Sequence, residues 1–246
     1  MMKRIFKQAA YGLFTILSSV SVLNAGSFGI SPVIVTLSAN QQMSEITLNN
    51  PGAEPMSLQL EVMNWSEQEG KDVFAPTRDV LVNPPIFNLP ANSSQLIRIG
   101  LRRAPDAQRE LSYRIFVQQL PPPISSDFQG AMMLLRVSMP LFILPRVEAK
   151  PLLRWQVAQT PQGTLKVSLT NDGSAHIKIK NLKLSMPSNV QPWVSQGSFE
   201  YVLPGQSHDW IMSANSDYPP LPPGTGLKLI AQTNVGEIEA GVMIEP

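Results

Sequence analysis

Met56-Ser57-Leu58-Gln59-Leu60-Glu61-Val62 places an apolar side chain at every second position, with polar residues between them. A period of two sends alternate side chains to opposite faces of an extended chain, so this stretch reads as a β-strand with one buried face. The same alternation recurs outward from it. Ile97, Ile99 and Leu101 alternate with Leu96, Arg98, Gly100 and Arg102, and Leu165, Val167 and Leu169 alternate with Lys166, Ser168 and Thr170. Along Ile177-Lys178-Ile179-Lys180-Asn181-Leu182-Lys183-Leu184 the apolar phase slips by one at Asn181, which predicts a bulge or corner there. Beyond residue 25 no segment carries a helical apolar stripe. The predicted fold class is all-β.

Composition agrees. The 246 residues include 23 prolines and 15 glycines, are 15% charged, and contain no cysteine. Proline at about twice its usual ~5% excludes a coiled coil or helical repeat. A hydrophobic content of 43% with formal charge +1 is enough to bury a core, which argues against disorder. Without cysteine, and with His176 and His208 as the sole histidines, disulfide scaffolds, redox dithiols and cysteine-based zinc sites are excluded.

The first 25 residues read as a secretory leader. Lys3, Arg4 and Lys7 precede an apolar stretch from Ala9 to Leu23, and Asn24-Ala25-Gly26 supplies small residues for cleavage near Ala25. Ser18, Ser19 and Ser21 interrupt a stretch already short of the ~20 residues of a membrane span. Removing those three cations from a formal charge of +1 leaves the remainder near −2, with no basic field for nucleic acid and no expected membrane insertion.

A break at Pro145-Arg146-Val147-Glu148-Ala149-Lys150-Pro151 divides what remains into 26–146 and 147–246, each close to the ~100 residues of one β-sandwich. The halves echo each other: Thr47-Leu48-Asn49-Asn50-Pro51-Gly52 and Ser168-Leu169-Thr170-Asn171-Asp172-Gly173 both end a strand in an Asn-containing turn. Two immunoglobulin-like β-sandwich domains in tandem are expected.

Catalytic signals are poor. Ser207-His208-Asp209 are consecutive, so in a strand their side chains diverge instead of converging as a triad. Glu237 and Glu239 share a strand face, as a solvated pair does, and no phosphate loop or metal-binding histidine pair occurs. Trp155, Trp193 and Trp210 could line a sugar-binding face of a secreted adhesin or carbohydrate-binding module, the alternative reading, but they are scattered and suit core positions better.

The stretch Ala131-Met132-Met133-Leu134-Leu135-Arg136-Val137-Ser138-Met139-Pro140-Leu141-Phe142-Ile143-Leu144 is unusually apolar. Met133, Leu135, Val137, Met139 and Leu141 share one parity. Pro140 donates no ladder hydrogen bond, so the strand belongs at an edge or bulge there. A core strand buried on both faces would have the same composition. The alternative is an edge kept apolar so that it can complete another chain by strand addition. Four donated side chains would contribute roughly 6–12 kcal/mol before ordering costs.

Over most of the chain beyond the leader, and most strongly from about residue 77 to 145, the sequence resembles the periplasmic pilus-assembly chaperones of the chaperone–usher pathway, the PapD-like family. The resemblance lies in the order and spacing of Asn83-Pro84-Pro85-Ile86-Phe87-Asn88-Leu89-Pro90, Gln95-Leu96-Ile97-Arg98-Ile99, Arg109-Glu110-Leu111-Ser112-Tyr113-Arg114, Leu120-Pro121-Pro122, and Pro140-Leu141-Phe142-Ile143-Leu144-Pro145. It implies a boomerang of two immunoglobulin-like domains in the periplasm. Such a chaperone binds pilin subunits one to one and lends an apolar strand, here about 131–144, until an outer-membrane usher replaces it. It implies no enzyme activity, metal or cofactor.

Many members anchor the subunit's terminal carboxylate with an Arg and a Lys whose places here look like Ile34 and Pro140, which cannot pair with a carboxylate. Tyr113-Arg114-Ile115 and Ser138-Met139-Pro140-Leu141-Phe142 look more like the archaic branch of the family. The anchor is therefore expected to have moved, with Arg114 as first choice and Arg98 or Arg136 as its companion.

Overall fold

The computed structural model describes residues 27–68, 70–123, 131–186, 192–213 and 221–245. The expected leader lies outside them. The described residues form strands and connections, with no helix.

In chain order the first ten strands begin with β1 (Gly29–Ser31), β2 (Val35–Leu37), β3 (Met43–Asn50), β4 (Met56–Gln68) and β5 (Lys71–Pro76). They continue with β6 (Val80–Asn83), β7 (Ile86–Leu89), β8 (Ser93–Leu101), β9 (Leu111–Gln119) and β10 (Arg136–Ile143). One sheet runs β1-β3-β8-β6. The other runs β2-β10-β9-β4-β5, with β7 also on β4. Their facing sides supply one core, in which Leu58, Ile97, Ile115 and Leu141 are fully buried. The pattern BeBeBeB over Met56–Val62 is the alternation read from the sequence.

The second domain contains β11 (Leu153–Gln159), β12 (Leu165–Asn171), β13 (Ile177–Ser185), β14 (Val194–Val202), β15 (Ser207–Met212), β16 (Gly226–Thr233) and β17 (Gly236–Glu245). They follow the path β14-β13-β16-β17-β11-β12-β15 around a separate core. The register of β13 against both neighbours shifts between Ile179 and Asn181, where the sequence phase slips.

The sequence echo marks equivalent positions. Asn50 and Asn171 are both fully buried. The Asn50 side-chain amide donates to the carbonyls of Glu54 and Leu89, and that of Asn171 donates to Ala175 and Val202. Each side-chain oxygen accepts the N–H of the glycine two residues on, Gly52 or Gly173.

A third apolar cluster, Trp65, Phe142, Tyr201 and Leu203, joins the domains. Phe142 stacks on His176 with ring centroids 3.7 Å apart, and His176 Nδ1 lies 2.7 Å from Glu110 Oε1. The backbone N–H of Glu110 donates to Ser174 C=O across the same junction.

Candidate functional site

Strand β10 has an incomplete edge. Its β9 side is paired from Arg136 to Ile143, but β2 covers only Leu141, Phe142 and Ile143 on the other side. Leu135 C=O accepts from Gln119 N–H, and Leu144 N–H donates to Leu37 C=O. Backbone direction alternates along a strand, so the polar groups of Arg136 and Ser138 face the open edge. Pro140 faces the same way, where its missing N–H breaks no ladder bond.

Side-chain parity corrects part of the sequence reading. Met139 and Leu141 are 2% and 0% exposed and belong to the chain's own core, so they are not free to enter another protein. The sandwich ends before the apolar series does. Val137 packs only partly against the core, Leu135 is 37% exposed and Met133 is 88% exposed. The one-parity pattern of five residues is thus shared between two environments, which alternation alone could not divide.

Beside the open edge lies a cleft of about 320 Å³ between the two domains. Val33, Ile34, Ser138, Pro140, Trp65, Asp72 and Arg114 line it from the first domain, and Lys178, Phe199, Glu200 and Tyr201 from the second. Ile34 and Pro140 both line this cleft, and Pro140 lies directly opposite Arg114 in the β10–β9 register.

Arg114 is held by packing more than by charge. Its Cζ lies 3.7 Å from the Trp65 ring centroid and 5.5 Å from that of Tyr201. Trp65 Nε1–H donates to Asp72 Oδ1 at 2.7 Å, fixing the indole under the guanidinium. The Arg114–Asp72 ion pair is long, at 4.0 Å, and Arg114 Nε has no hydrogen-bond partner. Burial draws the Arg114 pKa below its ordinary value, with nearby Asp72 opposing. A half-buried guanidinium whose Nε is unpartnered and whose ion pair is long is suited to a forked contact with a carboxylate.

Sequence reasoning missed two members of this cluster. Lys178 reaches in from β13, its Nζ 4.9 Å from the Tyr201 ring centroid. Its alternation in Ile177-Lys178-Ile179-Lys180 is that of any half-buried strand. Glu67, the last residue but one of β4, is 7% exposed, with its Oε2 unpartnered. Burial, reinforced by Asp72 and Glu200 and opposed by Arg114, pushes its pKa up to about 7.

The remaining candidates lie apart. Arg98 is exposed on β8, in the other sheet of its domain, and pairs with Glu45 at 3.4 Å. That placement removes it as a companion of Arg114 in this cleft. Arg136 shares the outer sheet face with Arg114 but stacks over Phe116 at 4.3 Å. It is four residues from Pro140, roughly 13 Å along the strand. Ser207, His208 and Asp209 have separate partners: Thr170, the Trp210 ring and Lys166. Trp193 and Trp210 are buried in the second core and Trp155 packs against it, so the three form no exposed aromatic face. Among the described residues no cluster of metal-ligating side chains occurs.

Residues 27–148 match the model of the pili and flagellar-assembly chaperone family, PapD N-terminal domain. A search of curated proteins finds no match. Among solved structures, the chain resembles one from the chaperone–tip adhesion subunit pre-assembly complex CsuC–CsuE, from the archaic Csu pili of Acinetobacter baumannii. That match has TM-score 0.65 and 21% identity, over 90% of this chain and 100% of the other. The Escherichia coli chaperone DraB matches at TM-score 0.58 and 20% identity, over 87% and 96% of the two chains. A chain from the Salmonella enterica SafA pilin–SafB chaperone complex matches at TM-score 0.58 and 17% identity, over 89% and 95%. The chain therefore belongs to the PapD-like family of pilus-assembly chaperones of the chaperone–usher pathway, a family without enzymatic activity.

Proposed function

We propose that this chaperone acts in the periplasm, after loss of residues 1–25, by binding one pilus subunit at a time and completing its sandwich with the open edge of β10. The observation that carries this reading is that edge, unpaired from Arg136 to Pro140 and continuous with exposed apolar side chains at Met133 and Leu135. Met133, Leu135 and Val137 are the donated side chains. Three of them contribute roughly 5–9 kcal/mol at most before ordering costs.

The same strand leads into the cleft, where Arg114 and Lys178 would hold the subunit's terminal carboxylate between the two domains. Anchoring one end fixes the register in which the side chains enter the subunit, since a shift of one residue would reverse every side chain. An outer-membrane usher then exchanges this strand for one supplied by the next subunit. Solved relatives in complexes with a tip adhesion subunit and with a pilin support a subunit as the partner.

Co-expression with a candidate pilin in the periplasm, followed by affinity purification and mass determination, tests the reading. A soluble one-to-one complex is expected, with the pilin degraded when expressed alone. A pilin that is stable alone and never copurifies would overturn it.

A further inference from the structure

The cleft region carries more negative side chains than positive ones. Arg114 and Lys178 stand against Asp72 and Glu200 in the lining, and against Glu67, which lies directly opposite Asp72 in the β4–β5 register. Glu67 is the most deeply buried of the three carboxylates, with Asp72 on β5, Arg114 on β9 and Glu200 on β14 of the other domain around it. A fourth carboxylate, brought by a subunit terminus, would leave two cations facing four anions. Partial burial strengthens that repulsion, because fewer waters screen it. One added proton relieves it most cheaply on the carboxylate that is already hardest to solvate.

We infer that Glu67 takes up a proton when the cleft receives a carboxylate, so that the site binds the anion and a proton together and holds it more tightly at acidic pH. This inference rests on the carboxylate-anchor reading above. Burial, with Asp72 and Glu200 beside it, sets the Glu67 pKa at about 7, which places the exchange near neutral pH. His176, stacked on Phe142 and 5.6 Å from the Tyr201 ring, is the other ionisable side chain packed against this cluster. The test must therefore separate the two.

The probe is a short peptide of alternating valine and threonine with a free terminal carboxylate, compared with its amide. Each is titrated into the mature chaperone at about pH 5.5 and about pH 8.5. If only the protonated site accepts the anion, affinity for the free acid falls by up to ~30-fold across this range, while the amide binds weakly at both pH values. Glu67→Gln should bind the free acid at the higher pH as tightly as the unmodified protein does at the lower. Calorimetry at pH 7 in two buffers of different ionisation enthalpy should report uptake of about half a proton, absent in Glu67→Gln.

Failure of the free acid to bind better than the amide at either pH would remove the carboxylate reading and this inference with it. A preference for the acid that is equal at both pH values would overturn the inference alone. So would a pH dependence that survives in Glu67→Gln, which would place the proton on another group.

Discussion

The guanidinium of Arg114 lies over the indole of Trp65, 3.7 Å from the ring centroid, while Trp65 is itself tied to Asp72. The stack aligns a cation beside the open edge of β10 without spending its hydrogen-bond donors on a close carboxylate. A lysine at this position would keep the charge but lose the planar stack and the fork.

Arg114→Ala should therefore weaken subunit capture by about 2–5 kcal/mol while leaving the melting curve of the free chaperone nearly unchanged. Arg114→Lys should recover only part of the loss. Copurification yield and calorimetric affinity measure both. Full capture by Arg114→Ala would move the anchor away from this cleft.

Two substitutions six residues apart, at positions of the same parity, test where the donor strand ends. Leu135→Glu places a charge on the exposed segment and should abolish capture with the fold intact, because Leu135 lies outside the sandwich core. Leu141→Glu puts the same charge at a fully buried site and should unfold the first domain. Circular dichroism separates the two outcomes. A folded Leu141→Glu protein with normal capture would contradict the core assignment.

The strands were legible because each buries one face, as at Met56–Val62, and a single irregularity at Asn181 is visible as a slipped phase. The paired turns at Asn50 and Asn171 were visible too, though not the hydrogen bonds that make them equivalent. What alternation cannot encode is which sheet a strand joins or where a sandwich stops. Arg98 and Arg114 therefore looked alike until β8 and β9 fell into different sheets. Met139 and Leu141 looked like Met133 for the same reason. Lys178 joins Arg114 in the cleft only when the two domains meet, and Glu67 comes near it only when β4 pairs with β9.

Asn171 and Gly173 secure the junction. The Asn171 side chain serves the carbonyls of Ala175 and Val202 and the N–H groups of Gly173 and Leu152. A Cβ at Gly173 would collide with backbone atoms of Lys150 and Leu152, in the segment that links the domains. Asn171→Ala should cost about 2–4 kcal/mol through unsatisfied buried groups. Gly173→Ala should displace the linker and cost about 1–3 kcal/mol. Urea unfolding followed by tryptophan fluorescence reads both, and unchanged midpoints would refute the bracing role.

Glu67 also makes stability depend on pH. Its folded-state pKa of about 7 lies above the ordinary 4.5, so the fold favours the protonated carboxyl. The associated stability is fully present below about pH 4.5 and is lost as pH rises through 7. Glu67→Gln is neutral throughout and should remove that loss. The variant should be more stable than the unmodified chaperone at pH 8 by up to ~3 kcal/mol, with a much smaller difference at pH 4.5. Urea midpoints for both proteins at the two pH values measure it. An equal difference at both would mean that Glu67 ionises as freely in the folded protein as in the unfolded chain.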